Sequence, residues 1–278
     1  MRKEIDDAIN QCFCCNNPVS RAIFYALSRG GKRIRPLIVL FLSDAISLGY
    51  SVIESALSIE FFHTASLIVD DLPCMDDDEI RRGNPSLHKA FGENIALLAS
   101  YGLLIEAFQK IEENSRTMEE KGNMQEVHLV KKIAYETATK CAGVKGGILG
   151  QYYDLFEQRI NLSQEEVKER IYLKTGVFFE GAFVFGWIFG GGNMMHLNDV
   201  RAIGRYFGYM FQIKDDFHDF VKDSQKKSRS NCVHLLGREK SMELFYLSKE
   251  ECLCTLFQIL PQEETKIHFL LKNFCLEA

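Results

Sequence analysis

The pattern of this chain predicts an all-α fold. Apolar residues recur at helical spacing, no segment alternates apolar and polar residues as a half-buried strand does, and only 5 prolines interrupt 278 residues. No linker, repeat or low-complexity stretch divides the chain, so we expect a single domain over residues 1–278, a helical bundle around a central cavity. Pro36 suits the first turn of a helix running to about Gly49, because proline's missing N–H is an unused donor there. From Ser51, residues Ala56, Ile59, His63, Ser66 and Asp70 fall three or four apart, predicting one helix that carries acids at its end. Pro73 breaks or bends that helix, so Asp76 belongs to a short loop. Ser163-Gln164-Glu165-Glu166 is a capping box and opens another helix. Val177–Gly192 is the nearest approach to a membrane span, yet Glu180 and its glycines fit a buried helix better, and we expect no span. Asn198 to about Phe220 forms a long helix with Ile203, Phe207 and Met210 on its apolar stripe, and residues 222–231 are polar enough to read as a mobile loop.

Composition narrows the function. Hydrophobic residues make up 46% and aromatic residues 12%, ample for one sizeable core. A net charge of -5 leaves no electrostatic footprint for nucleic acid or an anionic membrane. Met1–Asp7 contains no apolar h-region, so no signal peptide is expected, and the 9 cysteines read as reduced thiols of a cytoplasmic protein.

Two acid clusters carry the chemistry. Asp70, Asp71 and Asp76 form the first, and Asp215, Asp216 and Asp219 the second; Asp215 and Asp219 lie one turn apart on one helical face. Carboxylates this crowded repel one another unless a cation shares them. Hard divalent cations take oxygen ligands, and Mg2+ is commonly held by a few carboxylates together with substrate phosphates. Either cluster alone reads first as a solvated face; the pair, each embedded in apolar helix, points to a metal–diphosphate site. Cations accompany them. Gly30-Gly31-Lys32-Arg33-Ile34-Arg35-Pro36 presents basic side chains just before a helix, and Arg81-Arg82-Gly83 follows the first acids closely. His63 precedes Asp70 by two turns, roughly 10 Å at 1.5 Å per residue, room for a second anionic group, although alone it reads as a core histidine. Lys174-Thr175-Gly176 adds a cation and a hydroxyl.

Asp70–Gly83 followed by Asn84-Pro85, the Gly30–Pro36 loop, Lys174-Thr175-Gly176 and Phe211–Asp216 together resemble the short-chain trans-prenyl diphosphate synthases, from about Gly30 to Asp219. These enzymes make geranyl, farnesyl and geranylgeranyl diphosphates. The resemblance implies a terpenoid-synthase-type bundle, a homodimer, and Mg2+ held by Asp70, Asp71, Asp76, Asp215, Asp216 and Asp219. It implies an allylic diphosphate held by Arg81, Lys174, Thr175 and Gln212, and isopentenyl diphosphate held by Lys32, Arg35, His63 and Arg82. Chain length would be set near Ala65 and Ser66, where a bulky aromatic would stop growth at C15; small residues there favour a C20 product over C15.

Three departures stand out. Tyr101 replaces a family acid near the metals, the segment after Asp219 is short and leaves Lys226, Lys227 or Arg229 as substitutes for a basic group, and the sequence after about Leu235 matches only in helical pattern. The alternative they support is a non-catalytic, substrate-binding partner subunit of an active synthase. A class I terpene cyclase would need an Asn/Ser/Glu-type second motif where this chain has Asp215–Asp219.

Overall fold

Helical periodicity becomes helices almost throughout. The computed structural model describes residues 1–13, 17–120, 124–156, 161–226, 231–262 and 265–276. Helix α1 (Arg2–Cys12) is followed by α2 (Pro18–Ser28), which starts with Pro18 in its first turn and the Asn17 side chain accepting from the Ser20 N–H at 2.9 Å. Helix α3 (Ile34–Ile46) has Pro36 in its first turn and stops short of Gly49, because Ser47 turns left-handed at φ 62. Helix α4 (Ile53–Asp70) ends where Pro73 requires. A small hairpin that the sequence reading lacks then pairs β1 (Ile80–Arg81) with β2 (Asn84–Pro85). Its two-residue turn is Arg82 and Gly83, both left-handed at φ 55 and φ 76, the conformation that matches hairpin twist.

The chain continues through α5 (Leu87–Phe91), α6 (Glu93–Glu119), α7 (Met124–Ala142), α8 (Gly147–Phe156) and α9 (Gln164–Ile171). The capping box at α9 is present in both halves, Ser163 to Glu166 and back. A π-helical turn, Tyr172–Gly176, joins α9 to α10 (Val177–Phe189). Helix α11 (Leu197–Lys226) runs beyond Phe220, so residues 222–226, expected in a loop, are helical; Lys227 and Arg229 lie outside the described residues, and only the backbone is described at Lys226. Helices α12 (Cys232–Leu236), α13 (Arg238–Ile259) and α14 (Lys266–Lys272) complete the fold.

Helix α10 is the axis of the bundle, with every residue from Val177 to Phe189 buried, and it packs against α3, α4, α7 and α11. By length and composition the stretch Gln164–Phe189 could cross a membrane, but 89% of its most apolar window is covered by protein, as expected of a buried helix. That is what a core helix requires. Helices α4 and α6 pack antiparallel, and small residues bring them close enough for side chains to bond across. Ser58 donates to the Ala107 carbonyl at 2.8 Å, and Ser100 to the Ala65 carbonyl at 3.0 Å. The Ser55 N–H donates to Asn114 Oδ1 at 2.9 Å.

Candidate active site

The end of α4 gathers the first acids. After Leu72 the chain doubles back, and the Asp76 N–H donates to the Asp70 carbonyl at 2.9 Å, which returns Asp76 to the side of Asp70. Asp71 is buried and bonds Arg81 Nε at 2.8 Å; Arg81 also reaches Asp78 at 3.3 Å. Burial above all pushes the Asp70 carboxyl up to about 7, with Asp76 raising it further and Lys174 and Arg81 pulling it down. Burial likewise raises Asp71 and Asp76. Oxygen donors bearing this unrelieved charge suit a hard divalent cation.

Helix α11 divides the second cluster, since consecutive helical residues point about 100° apart. Asp215 is half-buried and Asp219 exposed on one face. Burial raises Asp215, opposed by the charges of Lys32 and Arg35. Asp216 turns inward. It accepts from Gln212 Nε2 at 2.8 Å and from the Cys232 N–H at 2.7 Å, and its carbonyl accepts from Asn231 Nδ2 at 2.8 Å. Burial still lifts it to about 6. Thr175 donates to Gln212 Oε1 at 2.5 Å, which completes a chain from the π-turn to Asp216.

Lys174 links the clusters. Its ammonium bonds Asp154, and its charge is the first to oppose burial at Asp70 and Asp76, and acts at Asp216 after that residue's own hydrogen bonds. Among the described residues, no three Asp, Glu, His or Cys side chains converge as a cation cage, and Asp71 and Asp216 are bonded to protein donors. One cleft lies beside Lys174, Asp154, Gln212 and Arg170, and another beside Asp71, Arg81, Arg82 and Arg29.

A second basic group stands around His63. Arg35 Nη1 lies 3.2 Å from His63 Nε2. Guanidinium only donates, so Nε2 accepts and the ring proton sits on Nδ1. Burial, then Arg35 and its neighbours, hold His63 well below the usual histidine value, so the ring is neutral near pH 7. Arg35 stacks over Phe179 at 4.3 Å, and burial lowers it to about 10. Lys32 is exposed. Arg82 Nη1 donates to the Gly30 carbonyl at 2.8 Å and lies across Gly31, where an added methyl would stand 2.7 Å from its Cζ. Ala65 is buried and Ser66 half-buried; one turn before Ala65, Phe62 packs edge-on to Phe108 at 5.1 Å, which stacks on Tyr135 at 5.9 Å. Tyr101, expected near the acids, is 58% exposed on the outer side of α6 beside Leu98 and Ile105.

Sequence reading missed Asp154, Asn231, the Cys232 backbone and the Arg33–Glu60 pair, which bonds at 2.6 Å beneath the basic loop. Asp154, Asn231, Cys232 and Glu60 belong to no cluster, and only the fold brings them in; Arg33, expected among the cations of the basic loop, is instead buried against Glu60.

A model of the polyprenyl synthetase family matches residues 16–266. Geranylgeranyl pyrophosphate synthase 4 of Arabidopsis thaliana is 34% identical over 237 residues, 83% of this chain and 60% of that protein. A chloroplastic geranylgeranyl pyrophosphate synthase of Catharanthus roseus is 36% identical over 237 residues, covering 81% and 64%. The chain thus spans little more than six tenths of the length of these relatives, 60% and 64%. A crystal structure of a geranyltranstransferase from Thermotoga maritima superposes with a TM-score of 0.78 at 33% identity, covering 98% of this chain and 94% of that one. The fold and the family model agree: the chain belongs to the polyprenyl synthetase family.

Proposed function

We propose that the protein is a prenyltransferase that joins isopentenyl diphosphate to an allylic diphosphate, with a C20 product, geranylgeranyl diphosphate, favoured over C15. The observation that carries this reading is the two-sided electrostatics around Lys174, which acts at once on Asp70 and Asp76 from α4 and on Asp216 from α11, with the Arg35–His63 pair set apart as a second anion subsite. The donor set fits Mg2+. When bound, it would neutralise the departing diphosphate, so that the allylic carbon–oxygen bond ionises.

The chain's own residues do the rest. Asp70, Asp71, Asp76, Asp215, Asp216 and Asp219 would hold the metal. Arg81, Lys174, Thr175 and Gln212 would grip the allylic diphosphate, with Arg81 and Lys174 exchanging part of their bonding to Asp71 and Asp154 for phosphate oxygens. Lys32, Arg35 and Arg82 would hold isopentenyl diphosphate, with His63 orienting Arg35 through Nε2. The apolar side chains of α4, α6 and α10 would exclude water from the cation. The departing diphosphate takes the final proton.

The C20 length is supported by the small Ala65 and Ser66 and by the names of the relatives. The stack of Phe62, Phe108 and Tyr135 is the proposed floor. A homodimer is supported by Leu98, Tyr101 and Ile105 exposed along α6, and a reducing, cytoplasmic setting by free cysteines at Cys74, Cys141 and Cys232. The experiment is Mg2+-dependent pyrophosphate release by the purified protein given both substrates. Release from the protein alone supports the synthase. Binding without release supports the non-catalytic subunit, an alternative favoured by the short segment after Asp219.

A further inference from the structure

Glu180 takes no part in the diphosphate chemistry, yet it is a carboxylate 3% exposed within a helix that is otherwise wholly apolar. A charge in such a place persists only when it is paired and hydrogen-bonded. Its Oε2 accepts from the Tyr172 hydroxyl at 2.7 Å, and its Oε1 from Lys140 Nζ at 3.1 Å. Arg205 from α11 stands 3.8 Å from Oε2. Lys140 and Arg205 each lie 4.9 Å from the centre of the Tyr172 ring, so two cations embrace it. Burial first, and the Glu180 charge next, push the Tyr172 phenol upward, and it remains a donor near neutral pH.

The spacing of this pair depends on the π-turn between them. In an unbroken α-helix, residues eight apart end about 80° apart around the axis. A π-turn absorbs one extra residue, about 100°, and brings positions 172 and 180 to within about 20° of one face. The hydrogen bond and the bulge therefore belong to the same register. That register aims Lys174 at Asp154 and Thr175 at Gln212. Relaxing the turn would swing both by about 100°. Neighbouring helices close on the turn's backbone: a methyl on Gly150 would stand 2.4 Å from Lys174 N, and one on Gly208 2.5 Å from Gly176 Cα.

We propose that the Tyr172–Glu180 bond locks the Tyr172–Gly176 turn in the register that presents Lys174 and Thr175 to the allylic diphosphate, which makes Tyr172 and Glu180 positioning residues. The proposal rests on the synthase reading for its ligand, but not for its structural half. Tyr172→Phe removes only the hydroxyl and keeps the ring between its cations. It should speed amide exchange over residues 173–177 about tenfold or more. The affinity for inorganic pyrophosphate with Mg2+ and the allylic KM should each worsen about tenfold, with the isopentenyl diphosphate KM unchanged. Glu180→Gln, which keeps an acceptor, should retain more of each than Glu180→Ala. Unchanged exchange and pyrophosphate affinity in Tyr172→Phe would overturn the proposal, as would a lower Tm with both KM values rising alike. If the wild type binds pyrophosphate but turns nothing over, while Tyr172→Phe shifts exchange and affinity as described, the synthase reading fails and the lock stands.

Discussion

Asp70, held at about 7, and Asp216, at about 6, bind protons more tightly folded than unfolded. The stability that protonation lends is therefore present at low pH and is lost as pH rises from near 4 through these values. The metal-free protein should show a Tm that falls between about pH 4 and pH 7. Asp70→Asn should flatten that fall and raise Tm at the upper end by a few degrees; a lower Tm there would mean that the charged carboxylate is stabilised by its neighbours. Asp215→Ala should cost on the order of 10²–10³ in kcat, as loss of an electrostatic contact to a transition state does, with circular dichroism unchanged. Unfolding in proportion to lost activity would contradict this. His63 is neutral and accepts from Arg35, so His63→Ala should raise the isopentenyl diphosphate KM far more than the allylic one, by freeing the guanidinium it orients. An equal rise in both would put it in the other pocket.

At the scale of elements, the proposed function makes the loop before α3 and the α4–α6 pair the parts that determine what the site accepts. Gly31 sits at φ +114 with the Arg82 guanidinium across it, so Gly31→Ala strains the backbone and displaces Arg82. Its isopentenyl diphosphate KM should rise about tenfold while the allylic KM holds. Ala65→Tyr should shift product toward C15, read by chromatography of the dephosphorylated alcohols; an unaltered product would move the floor away from α4. These elements were legible to different degrees. Pro36, Pro73 and the Ser163 capping box mark real helix boundaries, because each acts on backbone hydrogen bonds within one turn. The end of α11 was not legible, since polar residues 222–226 continue a helix without an apolar stripe to announce it. The π-turn was hidden because the residues after it are buried on every side and show no phase to shift.

For the whole molecule, order and spacing along the chain revealed the acids, the basic loop and the Lys174-Thr175 pair, because each is a local cluster. Asp154 and Cys232 were invisible for the opposite reason: single residues from α8 and α12 become partners of Lys174 and Asp216 only after α10 and α11 pack. The proposed homodimer should bury Leu98, Tyr101 and Ile105, and Ile105→Asp should yield monomers in sedimentation if α6 is the contact. The central claim is that acids from α4 and α11 act on one allylic diphosphate to extend it by one isoprene unit. The direct measurement incubates the purified protein with labelled isopentenyl diphosphate, farnesyl diphosphate and Mg2+, and separates the products by chain length. We expect a C20 product, lost in Asp70→Ala and in Asp215→Ala alike. No elongated product from the folded wild type, or full activity in either variant, would contradict it.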